Sequence, residues 1–252
     1  MRAWFLAAFD RCKAFFHWIW RGDGARTPWI RRIVAIIFAF LVPIPILLIL
    51  LFRFLPIPAT PQIIIGLLSG DDVHYRWVGA DEISPFLGRA VIGAEDQKFC
   101  SHHGFDWQSI DKAIKKHERH PRRILHGAST ISQQTARTIF LVSARSWVRK
   151  GMEAYLTVLI EALWPKKRIL TAYLNLVDLG HGYFGAEAAA ENYFHKPAAA
   201  LSTHEAARLA AILPNPDGWR AVAPGPYVAA RTDTLIFHMA QVARDGLDSC
   251  VR

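Results

Sequence analysis

Cysteine is rare in this sequence of 252 residues, and acidic residues are outnumbered by basic ones. The cysteines are Cys12, Cys100 and Cys250, and no spacing of Cys and His typical of a metal site occurs, which excludes a zinc-ribbon type of fold. No internal repeat is present, which excludes a repeat architecture. The length leaves room for one substantial domain with a terminal appendage, but not for two full enzymatic domains.

The shortage of acidic residues gives the chain a formal net charge of +9, from 30 Lys and Arg against 21 Asp and Glu. Such an excess favours an anionic partner, and nucleic acid, acidic lipid head groups and a phosphorylated substrate all satisfy it. The predicted membrane topology of the chain selects among these partners.

One stretch, residues 33–52, contains no charged residue and reads IVAIIFAFLVPIPILLILLF. At about 1.5 Å per residue it is long enough to cross about 30 Å of hydrocarbon, so we predict a transmembrane helix kinked at Pro43 and Pro45. Basic residues cluster before it, at Arg2, Arg11, Lys13, Arg21, Arg26, Arg31 and Arg32. Their position predicts a cytoplasmic N-terminus and an exported C-terminal part, which would not meet nucleic acid.

The remaining pattern predicts a mainly α-helical exported domain. Apolar residues recur at helical spacing between Val148 and Leu163, and alanine-rich runs at 186–190 and 206–211 favour helix. The predicted segments are a cytoplasmic 1–32, in which 1–20 is either an interfacial helix or a disordered tail, a span 33–52, a membrane-proximal linker 53–79, a domain 80–225 and a C-terminal tail 226–252.

Glu95 is the first candidate catalytic residue. It ends a predicted apolar helix, and a carboxylate there costs free energy unless it is hydrogen-bonded or functional. The local pattern fits a general base equally well as an exposed acid paired with Lys98 or Arg89.

A second candidate site is the stretch GASTISQQ at 127–134. Thr130 and Gln133 match a capping box, which explains a helix start, and a helix N-terminus is also a place to bind phosphate. Capping does not explain the basic residues that follow, which are Arg137, Arg145, Arg149 and Lys150. Arg149 and Glu153 are spaced for an ordinary i,i+4 ion pair on a helix surface.

Two further motifs match short signatures of known functional sites but lack the surroundings that those sites require. Gly180, Gly182 and Gly185 spell GxGxxG, but their helical flanks do not provide the βαβ unit of a dinucleotide-binding fold. The SxxK motif at 109–112 lacks the KTG-like and SDN-like partners of a transpeptidase.

The candidate stretches occur in an order that closely resembles the five motifs of the peptidoglycan glycosyltransferase family. They are EDQKFCSHHGFD (95–106), GASTISQQTARTIFL (127–141), RKGME (149–153), RILTAYLNLVDLGHGYFGAEAAAENYFHK (168–196) and EAARLAAILPNP (205–216). Length and the missing transpeptidase motifs favour the monofunctional biosynthetic form. The resemblance implies a lysozyme-like helical fold with a membrane-facing lobe.

The resemblance also implies roles for individual residues. Glu95 matches the catalytic base, and Glu153 matches a second glutamate that assists near the donor's pyrophosphate, with a divalent metal such as Mg or Mn as a candidate cofactor. The residues that match substrate-binding positions are Lys112, Ser129, Thr130, Gln133, Gln134, Arg137 and Arg145. Arg137 stands where the family usually has Lys, and Thr138 where it usually has Asn.

The implied reaction polymerises lipid II onto a growing glycan strand at the outer face of an inner membrane, through a single-pass anchor. Other proteins of wall synthesis or division are candidate partners. Two alternatives are a lysozyme-like lytic enzyme, which has no pyrophosphate to hold, and a non-catalytic scaffold, in which the glutamates would have no role.

Overall fold

A computed structural model describes residues 28–119, 129–142 and 146–252 of the chain. The chain divides into two compact units, Met1–Leu51 and Phe52–Arg252. The first contains α1 (Pro28–Leu41) and most of α2 (Pro43–Phe52). Residues 32–52 form a candidate membrane span with a mean hydropathy of 3.1, which confirms the predicted N-terminal apolar helix. Segment 1–20 lies outside the described residues.

The interruption between α1 and α2 follows from two prolines. Pro43 and Pro45 have no backbone N–H to donate, so the regular helical ladder cannot continue through them. The backbone N–H groups of Val42 and Ile46 still donate to Phe38 and Val42, at 2.9 and 3.3 Å. Most of the ladder is therefore kept, as a helix in hydrocarbon requires.

The second unit is mainly helical, as predicted. Its α-helices are α3 (Pro61–Ser69), α4 (Pro85–Glu95), α5 (Trp107–Arg119), α6 (Ile131–Phe140), α7 (Trp147–Leu163), α8 (Lys166–Leu176), α9 (Ala186–Phe194), α10 (Thr203–Ile212) and α11 (Pro226–Arg244). Two helix groups form its core: α4 packs against α10 and α11, and α6 packs against α7 and α8. The buried alanines of α10, Ala206, Ala207, Ala210 and Ala211, let neighbouring helices approach closely.

Helix α11 corrects the expected C-terminal tail. Instead of a polar tail from Pro226, a helix of 19 residues packs on α4 and α10. Its buried positions are Val228, Thr232, Leu235, Met239 and Val242, which recur every three or four residues. The expected linker 53–79 likewise contains a helix, α3, whose N-cap Thr60 accepts a hydrogen bond from the backbone of Ile63.

A disulfide joins Cys100 to Cys250. The two residues are 150 positions apart and their Cα atoms are separated by 5.5 Å. Nearby, Asp248 accepts hydrogen bonds from Arg89 at 2.9 Å and from Arg252 at 3.0 Å. The last residues of the chain are thus fastened to α4 and to the segment that follows it.

Candidate active site

Glu95 is the last residue of α4 and is half-buried beside α6. The side-chain amide of Gln134 donates a hydrogen bond to Glu95 Oε2 at 2.9 Å. The hydroxyl of Tyr173 donates a longer bond of 3.4 Å to Gln134 Oε1. Burial raises the pKa of Tyr173 well above its usual value, and the charge of Glu95 adds to this against an opposing effect of Arg137. Tyr173 therefore keeps its proton and remains a donor.

Asp96 fixes the backbone next to Glu95. Its carboxylate accepts from His102 Nε2 at 2.9 and 3.0 Å and from the backbone N–H of Ile131, the first residue of α6, at 3.0 Å. Because the N–H of Gly104 donates to His102 Nδ1, the imidazole proton lies on Nε2. Thr130 closes the network by donating to the carbonyl of Gly104 at 2.6 Å. This buried network joins the end of α4 to the start of α6, and so brings Glu95 to Gln134.

Two hollows adjoin Glu95 and Gln134. The first, which we call the cationic cavity, has a volume of about 500 Å³, and its lining includes Gln134, Tyr173, Arg137, Thr138 and Arg149. The second, which we call the Glu95 pocket, has a volume of about 410 Å³, and its lining includes Glu95, Lys98, Lys112, Ser129 and Thr130. Glu95 itself lines only the Glu95 pocket, and its hydrogen bond to Gln134, which lines the cationic cavity, links the walls of the two.

Glu153 acts on the cationic cavity through Arg149. Its carboxylate is only 1% exposed, and it accepts a hydrogen bond from Arg149 Nη1 at 2.8 Å and another from Lys150 Nζ. The i,i+4 spacing therefore gives the predicted ion pair, but in a buried rather than an exposed position. Such a pair holds the guanidinium of Arg149 in one orientation at the cavity wall.

The residues around Glu153 do not fit a divalent cation. Both of its carboxylate oxygens are already bonded to cationic side chains. In the described parts of the chain, no group of three or more His, Cys, Asp or Glu is arranged to hold a metal ion. We derive no step through a metal.

Comparisons with known proteins identify the family of the chain that carries this geometry. The transglycosylase family model matches residues 63–240. The chain belongs to the transglycosylase family. A biosynthetic peptidoglycan transglycosylase of Caulobacter vibrioides is 47% identical over 222 residues, covering 88% of this chain and 96% of the relative. Proteins of the same name from Klebsiella oxytoca and Escherichia coli are 51% and 57% identical, covering 78% and 67% of this chain and 84% and 69% of the relatives.

The predicted substrate-binding residues of this transglycosylase do not all lie in one cavity. Gln134 and Arg137 line the cationic cavity, whereas Lys112 and Ser129 line the Glu95 pocket. Lys112 and Arg137 therefore line different hollows. Arg145 is outside the described residues.

The predicted capping box at Thr130 is confirmed. Gln133 donates from its backbone to Thr130 Oγ1 at 3.2 Å and accepts from the Thr130 backbone at 3.1 Å. The Gln133 side chain is buried in this cap and lines neither the cationic cavity nor the Glu95 pocket. The alternative pairing of Glu95 with Lys98 or Arg89 is not formed, because those cations bond Asp106 and Asp248.

The GxGxxG stretch of this transglycosylase shapes the fold around the cavity. Its three glycines have positive φ, and a Cβ at Gly185 would lie 2.2 Å from the carbonyl oxygen of Asn175. Asn175 is itself buried and bonds both backbone groups of Val78. Within the described residues the only sheet pairs β1 (His74–Tyr75) with β2 (Tyr183–Phe184), and β2 lies inside the GxGxxG stretch, so the stretch does not follow the strand of a βαβ unit, in agreement with the sequence analysis.

Sequence reasoning missed several residues around the transglycosylase site. Tyr173 and Asp178 line the cationic cavity, and His238 lines the Glu95 pocket. Tyr173 follows buried Ala172 and precedes buried Leu174, so its pattern is that of any core residue. Asp96 lies in the first motif stretch and Tyr173 and Asp178 in the fourth, so those stretches are the signal that could have found them, whereas His238 lies in none.

Proposed function

We propose that the chain is a membrane-anchored peptidoglycan glycosyltransferase. It polymerises lipid II into β-1,4-linked glycan strands by inverting displacement of undecaprenyl pyrophosphate, with Glu95 as the general base. The names of its relatives support the reaction class, and their sequences match most of this chain. The hydrogen bonds and lining residues of the site support the roles of the individual residues.

The position of Glu95, which lines one hollow and is hydrogen-bonded to a residue that lines the other, is the observation that carries this proposal. A glycosyl transfer needs a base where the acceptor's hydroxyl meets the donor's sugar, and cations where the leaving group departs. Glu95 accepts a hydrogen bond from Gln134, which lines the cationic cavity together with Arg137 and Arg149. Planar guanidinium groups suit phosphate oxygens because they can donate two parallel hydrogen bonds.

In the reaction, the 4-hydroxyl oxygen of the acceptor forms a bond to C1 of the donor sugar while the bond from C1 to the pyrophosphate oxygen breaks. The bonding electron pair leaves with the pyrophosphate, and Glu95 takes the hydroxyl proton. Arg137 and Arg149 stabilise the charge that develops on the departing oxygens. A pyrophosphate is a good leaving group once its charge is stabilised, so no strong general acid is required.

Lys112 is assigned to the acceptor in this scheme. Both substrates carry a lipid pyrophosphate, and Lys112 lines the Glu95 pocket rather than the cationic cavity. Lys98, in the same pocket, is already bonded to Gln108 at 2.7 Å. Lys112 is therefore the lysine placed to hold the acceptor's pyrophosphate while Arg137 holds the donor's.

The surface of α3 supports a lipid-linked substrate. Its outer residues Ile64, Ile65, Leu67 and Leu68 are exposed, Leu68 by 84%. Gln62, in the first turn of α3, lines the cationic cavity and donates to the carbonyl of Leu141 at 3.1 Å. An exposed apolar face directly beside a phosphate-binding cavity suits contact with acyl chains or a polyprenyl tail.

The proposed location is an inner membrane with the catalytic unit in the periplasm. The basic residues that precede the apolar helix favour a cytoplasmic N-terminus. The Cys100–Cys250 disulfide supports export of the second unit, because disulfides persist in oxidising compartments. Alkaline phosphatase fused after Arg252 should be active in cells, and an inactive fusion beside an active cytoplasmic reporter would reverse the orientation.

Incubation of the purified full-length chain with lipid II in detergent tests the reaction itself. We expect glycan polymer and released undecaprenyl pyrophosphate. A lytic enzyme would instead degrade preformed polymer, and a scaffold would do neither. Absence of polymer from folded protein would refute the proposed function.

A further inference from the structure

His238 lies in the Glu95 pocket although it comes from none of the five motif stretches. It belongs to α11, and it lines the pocket together with Glu95, Lys98 and Lys112. Glu95 belongs to α4, Lys112 belongs to α5, and Lys98 lies in the segment between these helices. Helix α11 therefore adds a side chain to the catalytic region from the far end of the sequence.

The close packing of α11 on α4 determines where His238 lies. A Cβ added at Gly93, two residues before Glu95, would lie 3.1 Å from His238 Cβ and 3.5 Å from its carbonyl carbon. Such a contact leaves little room for the two helices to shift. His238 is consequently held at a fixed distance from the end of α4, where Glu95 is located.

One ring nitrogen of His238 has no hydrogen-bond partner in the described structure. Nδ1 is buried and no donor or acceptor reaches it. A buried N–H without an acceptor is rarer and less favourable than a buried lone pair, so the tautomer with the proton on Nε2 fits the surroundings better. The ring then presents Nε2–H as its one hydrogen-bond donor, on a residue that lines the pocket.

Packing alone does not explain a histidine at this position. The two neighbours of His238 have the ordinary environments of residues on α11. Met239 is buried in the core, and Phe237 is 61% exposed at the surface. An apolar side chain at position 238 would fill the same space without burying an unpartnered nitrogen. A ligand that accepts a hydrogen bond from Nε2–H in the pocket would offset the cost of the unpartnered nitrogen.

We propose that His238 is a substrate-contacting residue that binds the acceptor sugar. This inference rests on the proposed function, in which the acceptor occupies the Glu95 pocket with its 4-hydroxyl at Glu95. Nε2–H donates a hydrogen bond to an oxygen of that sugar, either a hydroxyl or the N-acetyl carbonyl. The charged groups that share the pocket are Glu95, Asp96, Lys98, Asp106 and Lys112.

Steady-state kinetics with a lipid-linked tetrasaccharide as saturating donor and lipid II as varied acceptor tests the proposal. We expect His238→Leu, which keeps the volume but removes the donor, to raise KM for lipid II about 10-fold, the factor for one lost hydrogen bond, with kcat within about two-fold. His238→Gln, which retains an N–H donor, should recover most of the affinity. Phe237→Ala, on the same helix but outside the pocket, should match wild type.

Thermal unfolding of each variant separates binding from stability. An unchanged KM in folded His238→Leu would overturn the proposal, and so would a loss confined to kcat. A rise in KM that His238→Gln does not reverse would also overturn it. Wild-type protein is measured first, so a failure to polymerise lipid II at all would refute the proposed function rather than the role of His238.

Discussion

Gln134 donates a hydrogen bond to Glu95 Oε2 at 2.9 Å, and this contact connects the first two motif stretches of the sequence. The other end of the Gln134 amide accepts from Tyr173, which belongs to the fourth stretch. A neutral donor on one carboxylate oxygen orients the group and leaves Oε1 without a bond to any of the described residues. Oε1 is thus the oxygen available to take a proton.

Loss of the Gln134 amide should therefore impair catalysis rather than folding. We expect Gln134→Leu to lower kcat about 10- to 100-fold, the range for a hydrogen bond to a charged group. Thr138→Ser, which changes another wall residue of the cationic cavity on the same helix, is the matched control and should retain activity. Initial rates of lipid II polymerisation measure both, and wild-type kcat in Gln134→Leu would contradict the orienting role.

Arg137 should tolerate lysine but not alanine. Arg137→Ala removes a cation from the cavity and should lower kcat/KM about 10- to 100-fold through loss of a charge-assisted contact with phosphate. Arg137→Lys keeps the charge but not the two-pronged geometry, so we expect it to stay within about 10-fold of wild type. Equal, wild-type activity in both variants would remove Arg137 from the site.

The features that the sequence predicts correctly arise between residues that are only a few positions apart in the chain. The capping box of Thr130 and Gln133 and the ion pair of Arg149 and Glu153 each span three or four positions. The apolar span at 32–52 is a property of composition alone. Local patterns of this kind fix which groups meet without knowledge of the tertiary packing.

Features that the sequence did not reveal depend on contacts between distant segments. The burial of Glu153 follows from the packing of α6 and α8 on α7, and no local pattern distinguishes it from an exposed helix glutamate. The sequence of α11 resembles a polar tail because exposed polar residues interrupt its five buried positions. His238 reaches the Glu95 pocket only because α11 crosses α4 at Gly93.

The disulfide should stabilise the exported unit. Its removal in the double variant Cys100→Ser/Cys250→Ser should lower the free energy of unfolding by about 2–5 kcal/mol, because the bond closes a long loop in the unfolded chain. Cys12→Ser, which leaves the bond intact, is the control. Chemical unfolding of full-length protein in detergent measures the difference, with thiol labelling to count free cysteines. Equal stability of the double variant and Cys12→Ser would contradict the prediction.

Glu153 should act by positioning Arg149. We expect Glu153→Gln to raise KM for lipid II more than it lowers kcat, because the misplaced guanidinium weakens phosphate binding. In Arg149→Ala the same change should have little further effect, so the two substitutions should be strongly non-additive. Asp111→Asn, at an exposed ion pair on α5, is the control. Additive losses would show that Glu153 has a role of its own.

Glu95→Gln is the decisive variant, because the mechanism gives this residue proton transfer and no binding. Glutamine keeps the size of the side chain and can still accept a hydrogen bond from Gln134 through its carbonyl oxygen, but it cannot take the proton of the 4-hydroxyl. Chain extension should fall about 100-fold or more, the usual scale for a lost general base. The thermal unfolding temperature and the affinity for a donor-site inhibitor should stay near wild type, since Arg137 and Arg149 are untouched. Near-normal polymerisation by this variant would refute Glu95 as the base, whereas a loss of inhibitor binding would show that the carboxylate also holds the donor.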